Sequence, residues 1–137
     1  MKEKIKIAFV CVHNSCRSQM AEAIAKLIAA DSFEAYSAGV EIKQLNQEAV
    51  AVIHELYGVD MNQSQKSKLI SDIPPVDIVV TMGCNVDCPY LPCRYREDWG
   101  LEDPTGKDKT EFIKTAELIE NKLRDLKDRI KSGKLKI

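Results

Sequence analysis

Residues 10–21 read VCVHNSCRSQMA, and the interpretation of the whole chain depends on them. This stretch follows an apolar, alternating run and precedes a helical pattern, and it places Arg17 six positions after Cys11. Three roles are open for Cys11 at this point. It is a buried apolar residue at the end of a strand, a metal ligand, or a nucleophile directed at an oxyanion.

The bulk composition is that of an ordinary globular domain. A chain of 137 residues suits one domain with one hydrophobic core, so we expect residues 1–137 to form a single domain. The formal net charge of −1 gives no electrostatic reason to expect nucleic acid or a membrane surface as a partner. The apolar start is too short for a signal peptide or a spanning helix. We therefore predict a cytoplasmic protein.

Five cysteines stand in two groups along the chain. Cys11 and Cys16 belong to the opening stretch, whereas Cys84, Cys88 and Cys93 fall in a later segment. An odd number of cysteines in a reducing compartment argues against a structural disulfide framework. We therefore expect thiols at rest, and we expect any disulfide to be transient.

Apolar residues recur with strand periodicity and helix periodicity in turn. Such alternation implies a parallel sheet with right-handed crossovers and helices on both faces. The segment 83–107 interrupts the pattern, and loops of that length inside a compact domain are usually functional. We predict strands at 5–10, 34–37 and 76–82, a further short strand near 94–97, helices at 18–30, between Asn46 and Gly58 and at about 108–131, and one or two helical turns within 65–71.

Helix ends are marked by residues with known capping preferences. Asn46 suits an N-cap, and Gly58 suits a helix end. Asp108 and Glu111 fit a capping box. The last helix carries one apolar stripe, which most simply faces the core, with a partner-binding coiled coil as the alternative. The stripe consists of Phe112, Ala116, Ile119, Leu123, Leu126 and Ile130.

The opening stretch contains the groups needed to bind a tetrahedral oxyanion. Ligands of parallel α/β folds bind beyond the carboxyl ends of the strands, and a helix start offers free backbone amides and partial positive charge. Arg17 would add a bidentate clamp, and the same field favours the thiolate of Cys11. The residues expected to surround the oxyanion are Val12, His13, Asn14, Ser15, Cys16, Arg17 and Ser18.

Individual side chains in this stretch have further expected roles. Ser18 can donate a hydrogen bond to Cys11, and Asn14 suits a left-handed turn and can brace the loop. Cys16 is a candidate for a small buried residue. His13 is either a general base or, as we prefer, a residue whose backbone binds the ligand while its side chain faces solvent.

The order strand, C-x5-R-S, helix resembles a known family. CVHNSCRSQMAEA resembles the phosphate-binding loop of the low-molecular-weight protein tyrosine phosphatase fold. AYSAG at 35–39, VDIVVTM at 76–82 and Asp103-Pro104 resemble its second strand, its third strand and its acid-bearing loop. The resemblance implies an α/β three-layer sandwich with a four-stranded parallel sheet. It also implies Cys11 as the nucleophile and Asp103 as the general acid.

Two branches share this scaffold, and the chain is similar to the arsenate reductase branch. Gln19 after CRS and EDWGLEDP at 97–104 resemble that branch, whereas phosphatases usually carry Pro after CRS and aromatic residues after Asp-Pro. The resemblance implies that Cys11 attacks arsenate and that Cys84 and then Cys88 carry the resulting disulfide. It implies thioredoxin or a low-molecular-weight thiol as reductant, phosphate or sulfate as competing oxyanions, no cofactor, a monomer and weak phosphatase activity.

Two features depart from the pattern of that branch. The spacing C-x3-C between Cys84 and Cys88 is shorter than usual, so Cys93 could replace one of them. Some of these reductases bind potassium through residues resembling Asn14, Glu22 and Ser37 plus an acidic residue, where this chain has Lys68. The ammonium of Lys68 either occupies the place of the cation and supports the loop together with Asn14, Ser18, Glu22 and Ser37, or it is a solvated surface group.

Other functional classes remain open from the sequence. A phosphatase would need Cys11, Arg17 and Asp103 and could dispense with Cys84 and Cys88. A zinc site could use Cys84, Cys88 and Cys93, although the paired C-x2-C pattern of structural zinc is absent from the sequence. A sensor that binds arsenite or responds to oxidation would use the same thiols, but it would leave Arg17 and Asp103 unexplained.

Overall fold

The computed structural model of the chain describes residues 4–83 and 91–137. The elements follow one another as β1 (Ile5–Val10), α1 (Arg17–Ile28), β2 (Phe33–Ala38), α2 (Gln47–Tyr57), α3 (Met61–Ser64), a 3-10 turn (Ile70–Asp72), β3 (Ile78–Thr81), β4 (Tyr95–Asp98) and α4 (Lys109–Lys131). The predicted α/β fold with a four-stranded parallel sheet is confirmed.

The strand register brings the functional loops to one edge of the sheet. The strands are ordered β2-β1-β3-β4, and all neighbours are parallel. Val10 pairs with Ala38 on one side and with Thr81 on the other, and Thr81 pairs with Asp98. These residues are the last of their strands. The segments that follow β1, β2, β3 and β4 therefore all begin at the same edge.

The two faces of the sheet are covered unequally. Alternate residues of a strand point to opposite faces. On one face, Ile7 and Phe9 belong to the main core, which also contains the buried sides of α1, α2 and α4. On the other face, Ala8 and Val10 form a smaller cluster, against which Ile70 of the 3-10 turn packs. The α-helices therefore pack on one face, a single 3-10 turn packs on the other, and the larger layer contains most of the buried apolar residues.

The helix boundaries agree closely with the expected capping residues. The side chain of Asn46 accepts hydrogen bonds from the amides of Glu48 and Ala49, and Gly58 ends α2 with φ of 72°. Asp108 accepts from the amide of Glu111 at the start of α4. The apolar stripe of α4 faces the core as predicted, since Phe112, Ala116, Ile119, Leu123 and Leu126 are buried and Ile130 packs against them.

Several elements differ from the sequence prediction: α1 spans Arg17–Ile28 rather than 18–30, β2 spans Phe33–Ala38 rather than 34–37, and β4 spans Tyr95–Asp98 rather than 94–97. β3 spans only Ile78–Thr81 rather than 76–82, because parallel pairing with β1 extends over those four residues. The single turn α3 was missed, because its polar sequence MNQS has no apolar periodicity and its start depends on Asp60 accepting from the amide of Asn62. Of the turns predicted within 65–71, the structure has one 3-10 turn, which extends to Asp72.

Within residues 4–83 and 91–137, no helix combines the length and the apolar composition needed to cross a membrane.

Gly39, directly after β2, packs tightly against the backbone of the loop after β1. A Cβ placed on Gly39 would lie 2.6 Å from the carbonyl oxygen of Val12 and 2.7 Å from that of Cys11. Both contacts involve backbone atoms, and Val12 O is fixed because it accepts from the amides of Val40 and Glu41. No flexible side-chain end can move aside to make room.

We expect Gly39→Ala to lower the free energy of unfolding by about 1 to 3 kcal/mol, the usual range for overpacking a fixed site. Urea denaturation measures this change. A Gly39→Ala protein as stable as the unsubstituted one would contradict the predicted contact.

Candidate active site

The loop between β1 and α1 turns its carbonyl groups outward into the surrounding scaffold. Each of four successive carbonyl oxygens accepts at least one hydrogen bond from another segment or from the helix that follows, which fixes the path of the loop. The pairs are Val12 O with the amides of Val40 and Glu41, His13 O with the hydroxyl of Ser67, Asn14 O with the side-chain amide of Gln19, and Ser15 O with the amide of Asn46.

The backbone amides of the same loop remain available to a ligand. Those of residues 12–18 donate to no atom of residues 4–83 or 91–137. They lie at the N-terminus of α1, where unpaired amides and the helix dipole favour an anion. A small cavity of about 40 Å³ opens there, lined by Cys11, Val12, His13, Ser15, Cys16, Arg17 and Asp103. Its size and donors suit one tetrahedral oxyanion.

Cys11 lies at the base of this cavity, and only 5% of the residue is exposed. Its Sγ is 2.9 Å from the hydroxyl oxygen of Ser18. That oxygen already accepts a hydrogen bond from Asn14 Nδ2 at 2.9 Å, so the hydroxyl hydrogen of Ser18 is free to point toward the sulfur. Such a donor stabilises a thiolate. Asn14 has φ of 51°, the left-handed conformation that was expected of it.

Arg17 is anchored by two carbonyl groups from different segments. Its Nη1 donates to Met82 O at 2.6 Å and to Leu101 O at 2.7 Å. Met82 follows β3, and Leu101 belongs to the segment that carries Asp103. The guanidinium is thereby held at the cavity, and its other N–H groups remain for a bidentate contact with an oxyanion. Arg17 thus joins the oxyanion loop to two other loops.

Asp103 lines the same cavity as Cys11, as its predicted role requires. Its Oδ1 accepts from the amide of Thr105 at 3.0 Å and from the hydroxyl of Thr105 at 2.7 Å. Burial alone would raise the pKa of Asp103, but these hydrogen bonds and the positive charges of Arg17 and Lys43 outweigh it and hold the pKa below its ordinary value. Asp103 is therefore a carboxylate in the resting protein at neutral pH.

Cys16 and His13 take the places expected of them. Cys16 is buried, and burial together with the nearby charge of Asp103 raises the pKa of its thiol to about 12. It is therefore an uncharged thiol at neutral pH. The side chain of His13 is exposed and turns toward the surface, where its Nε2 lies 3.1 Å from a carboxylate oxygen of Glu41. His13 is one of the residues that line the cavity, but the hydrogen bond of Cys11 is made with Ser18 and the imidazole contact of His13 is made with Glu41.

The three later cysteines are only partly located. Cys84 and Cys88 lie outside the described residues. Cys93 is half-buried and packs with the cluster of Ala8 and Val10, on the face of the sheet opposite the core that contains Cys11. Within the described part of the chain, no group of three His, Cys, Asp or Glu side chains could hold a metal ion.

Asn14 is itself held by the buried side chain of Gln19, to which the sequence analysis gave no such role, and by the backbone amide of Lys68. Its Oδ1 accepts from Gln19 Nε2 at 2.9 Å and from the amide of Lys68 at 2.8 Å. Gln19 is fully buried, and its own Oε1 accepts from Gln65 Nε2 at 2.7 Å. Gln19 is a polar residue at a buried position of α1, which implies that it has a hydrogen-bond partner. The sequence does not identify Asn14 as that partner.

Two of the residues proposed as loop support, Ser37 and Lys68, meet around the carboxylate of Glu22, which is only 4% exposed. Glu22 Oε1 accepts from Ser37 Oγ at 2.5 Å and lies 3.3 Å from Lys68 Nζ. Glu22 Oε2 lies 2.5 Å from Lys26 Nζ. The side chain of Lys68 is 16% exposed, against 45% for that of Lys26. Lys68 thus contributes both a partly buried charge to Glu22 and a backbone amide to Asn14.

Comparison with known proteins gives a consistent result. The model of the low molecular weight phosphotyrosine protein phosphatase family matches residues 6–135. Arsenate reductase 1 of Staphylococcus epidermidis is 39% identical over 132 residues, which are 93% of this chain and 99% of that protein. A solved arsenate reductase in the phosphate binding state is 34% identical with a TM-score of 0.80, over 92% of this chain and 98% of that one.

A further structural neighbour is the thioredoxin-dependent arsenate reductase of Corynebacterium glutamicum, which is 28% identical with a TM-score of 0.73. The match covers 96% of this chain and 64% of that one. Together with the C-x5-R loop, the buried Cys11 and the family match over residues 6–135, these likenesses lead to one conclusion: the chain belongs to the low molecular weight phosphotyrosine protein phosphatase family and is similar to its arsenate reductases.

Proposed function

We propose that this protein is an arsenate reductase that converts arsenate to arsenite with thiols as the source of electrons. One observation carries the proposal: Cys11, Arg17 and Asp103 line a single cavity at the start of α1, where backbone amides are available to an oxyanion. The likeness to arsenate reductases over more than nine-tenths of the chain supports arsenate as the substrate.

The first step is nucleophilic attack on a bound oxyanion. The amides of residues 12–18 and the guanidinium of Arg17 hold three oxygens of arsenate. The Cys11 thiolate forms a sulfur–arsenic bond, and one arsenate oxygen leaves as water. Asp103 delivers the proton to that oxygen after taking it from the incoming arsenate or from solvent. Phosphate has the same shape and charge, and it therefore competes for this site.

The reduction itself requires a second thiol, and a third thiol returns Cys11 to its free form. Cys84 attacks the sulfur of Cys11, the sulfur–arsenic bond breaks, and its electron pair stays on arsenic, which leaves as arsenite. Cys88 then attacks the sulfur of Cys84 and releases the Cys11 thiolate, which leaves a Cys84–Cys88 disulfide. These steps rest on the resemblance in sequence, because Cys84 and Cys88 lie outside the described residues.

An external dithiol must reduce the final disulfide. The likeness to a thioredoxin-dependent arsenate reductase makes thioredoxin the donor we propose, with a low-molecular-weight thiol as the alternative. A pool of thioredoxin and reduced thiols is found in the cytoplasm, and we infer that the protein acts there as a monomer.

Hydrolysis of aryl phosphates is the second candidate function, and the same cavity favours it. It would use Cys11, Arg17 and Asp103 with water in place of the second thiol. The residues after Asp103-Pro104 are Thr105 and Gly106, which offer no ring to stack on an aryl group. We therefore expect phosphatase activity to be weak.

The proposed disulfide relay predicts that variants of Cys84 and Cys88 lose arsenate turnover and that a variant of Cys93 keeps it. Cys84→Ser and Cys88→Ser should each lower arsenate-dependent NADPH consumption with thioredoxin and thioredoxin reductase by at least about 10³-fold, because the thiols act as one unit. Cys93→Ser is the matched control, since Cys93 packs on the opposite face of the sheet, and it should keep full turnover. Aryl phosphate hydrolysis should persist in all three variants.

A different pattern would reject the relay. Loss of arsenate turnover in Cys93→Ser with retention in Cys88→Ser would assign the third thiol to Cys93. Robust aryl phosphate hydrolysis without arsenate turnover from any thiol donor would instead make the protein a phosphatase.

The environment of Asp103 predicts a pH effect. A general acid works in its protonated form, so the rate falls as pH rises through its pKa. Thr105→Val removes the hydroxyl that helps to hold the pKa of Asp103 low, and the alkaline limb of kcat for aryl phosphate hydrolysis should move to higher pH. Thr115→Val, which removes a hydroxyl bonded within α4, should leave the profile unchanged. A shift to lower pH in Thr105→Val would exclude this role of Asp103.

Lys68 is proposed as the cation that supports the oxyanion loop through Glu22. Hydrogen bonds to buried charged groups contribute about 1.5 to 3 kcal/mol, so Lys68→Met should lower the free energy of unfolding by about that amount. Lys26 is the more exposed partner of the same carboxylate, so Lys26→Met should lower the free energy of unfolding by less than about 1 kcal/mol. Equal losses in urea denaturation, or strong activation of the unsubstituted enzyme by potassium over sodium, would contradict the proposal.

A further inference from the structure

The side chain of Asn46 joins the start of α2 to the loop that carries Asp103. Its Oδ1 accepts from the amides of Glu48 and Ala49, at 3.0 and 3.1 Å, and so caps the helix. These two donors fix which end of the side-chain amide is oxygen, so Nδ2 has a separate partner. It donates to the hydroxyl oxygen of Thr105 at 3.3 Å.

The hydroxyl of Thr105 passes this contact on to Asp103. A hydroxyl group has one hydrogen and two lone pairs, and Asn46 Nδ2 can only donate to it. The hydrogen of the hydroxyl is therefore free for Asp103 Oδ1, which lies 2.7 Å away and also accepts from the backbone amide of Thr105 at 3.0 Å. The neighbouring thiol of Cys16 is protonated, so it does not compete for that hydrogen as a charged acceptor. Both donors of Thr105 point at Oδ1, which leaves Oδ2 of Asp103 to carry a proton.

The backbone of Asn46 holds the oxyanion loop at the same time. Its amide donates to the carbonyl oxygen of Ser15 at 2.9 Å, and Ser15 lines the cavity together with Cys11 and Asp103. Asn46 thus contacts the oxyanion loop through its main chain and the acid-bearing loop through its side chain. A substitution of the side chain removes only the second contact, so the two can be tested separately.

We propose that Asn46 is a positioning residue for Asp103 in the first step of catalysis. In that step the Cys11 thiolate forms a bond to the central atom of the oxyanion, the bond to the leaving oxygen breaks, and Asp103 delivers a proton to that oxygen. Asp103 and Thr105 are both exposed, so hydrogen bonds rather than core packing orient them. The inference rests on the proposed function, in which Asp103 is the general acid.

The test compares leaving groups that depend on the acid to different degrees. Asn46→Ser keeps an oxygen cap for α2, since serine caps helices as well as asparagine, but it has no amide nitrogen to donate to Thr105. The kcat/KM for phenyl phosphate, whose leaving oxygen needs a proton, should fall by about fivefold, the equivalent of one ordinary hydrogen bond. The kcat/KM for para-nitrophenyl phosphate should change much less, because that phenol leaves readily as an anion. The kcat/KM for arsenate, which loses an oxygen as water, should follow that of phenyl phosphate.

Matched variants keep the test specific. Asn62→Ser removes a surface side-chain amide that is paired with Gln47, and it should change none of these values. In Asp103→Asn, which has no acid to position, adding Asn46→Ser should have no further effect on kcat/KM. Inhibition of Asn46→Ser by phosphate should equal that of the unsubstituted protein, because the main-chain contact to Ser15 is retained.

Two results would overturn the inference. One is an unchanged kcat/KM of Asn46→Ser for phenyl phosphate and arsenate. The other is an equal loss for both aryl phosphates together with weaker inhibition by phosphate, since Asn46 would then act on the oxyanion loop.

Failure of the proposed function has a different signature, which is seen without any change at Asn46. If the unsubstituted protein reduces no arsenate with any thiol donor, the reductase proposal fails, and the two aryl phosphates still decide the role of Asn46. If Asp103→Asn leaves the ratio of the two aryl phosphate rates unchanged, Asp103 is not the acid, and the inference fails with it.

Discussion

The oxyanion loop depends on the buried side chain of Asn14. A residue other than glycine in the left-handed region is disfavoured by about 1 to 2 kcal/mol, and Asn14 adopts it with φ of 51°. Its side chain offsets this cost by donating to Ser18 and by accepting from Gln19 and from the amide of Lys68. This left-handed turn directs the carbonyl groups of the loop toward the surrounding scaffold. The backbone amides of the loop therefore face the ligand. The same side chain orients Ser18 toward the sulfur of Cys11.

The sheet explains how distant parts of the chain meet at this loop. Val10, Ala38, Thr81 and Asp98 end their strands in register, so four connecting segments begin at one edge. One segment supplies the oxyanion loop, and the segment after β2 braces it through the carbonyl of Val12. The segment after β3 continues in the sequence to Cys84, and the segment after β4 carries Asp103. Cys11 and the carboxylate of Asp103 therefore line one small cavity although they are far apart in the chain.

Much of the architecture followed from local patterns. The first strand, the caps at Asn46 and Asp108, the end of α2 at Gly58 and the core-facing stripe of α4 each depend on residues within a few positions of one another. α3 was missed because four polar residues have no periodicity. The resemblance of the C-x5-R loop and of Asp103-Pro104 to a known family supplied the catalytic roles, which no periodicity could provide.

The contacts that hold the site together could not be predicted from local sequence patterns or from the family resemblance. Gln19 meets Gln65, Lys68 meets Asn14, and Asp98 meets the peptide before Cys84, across separations of 46, 54 and 15 residues. The first two pairings arise only when the sheet brings separate crossovers together. A single sequence shows that a buried polar residue needs a partner, but it does not say which.

The central claim is that electrons pass from the protein's own thiols to the bound oxyanion. A single turnover tests it most directly: reduced enzyme is mixed with excess arsenate in the absence of any external reductant, arsenite is quantified, and the disulfides are mapped by mass spectrometry. The account predicts one arsenite per protein molecule, a Cys84–Cys88 disulfide and a free Cys11 thiol. No arsenite, or arsenite formed while Cys84 and Cys88 remain thiols, would contradict it.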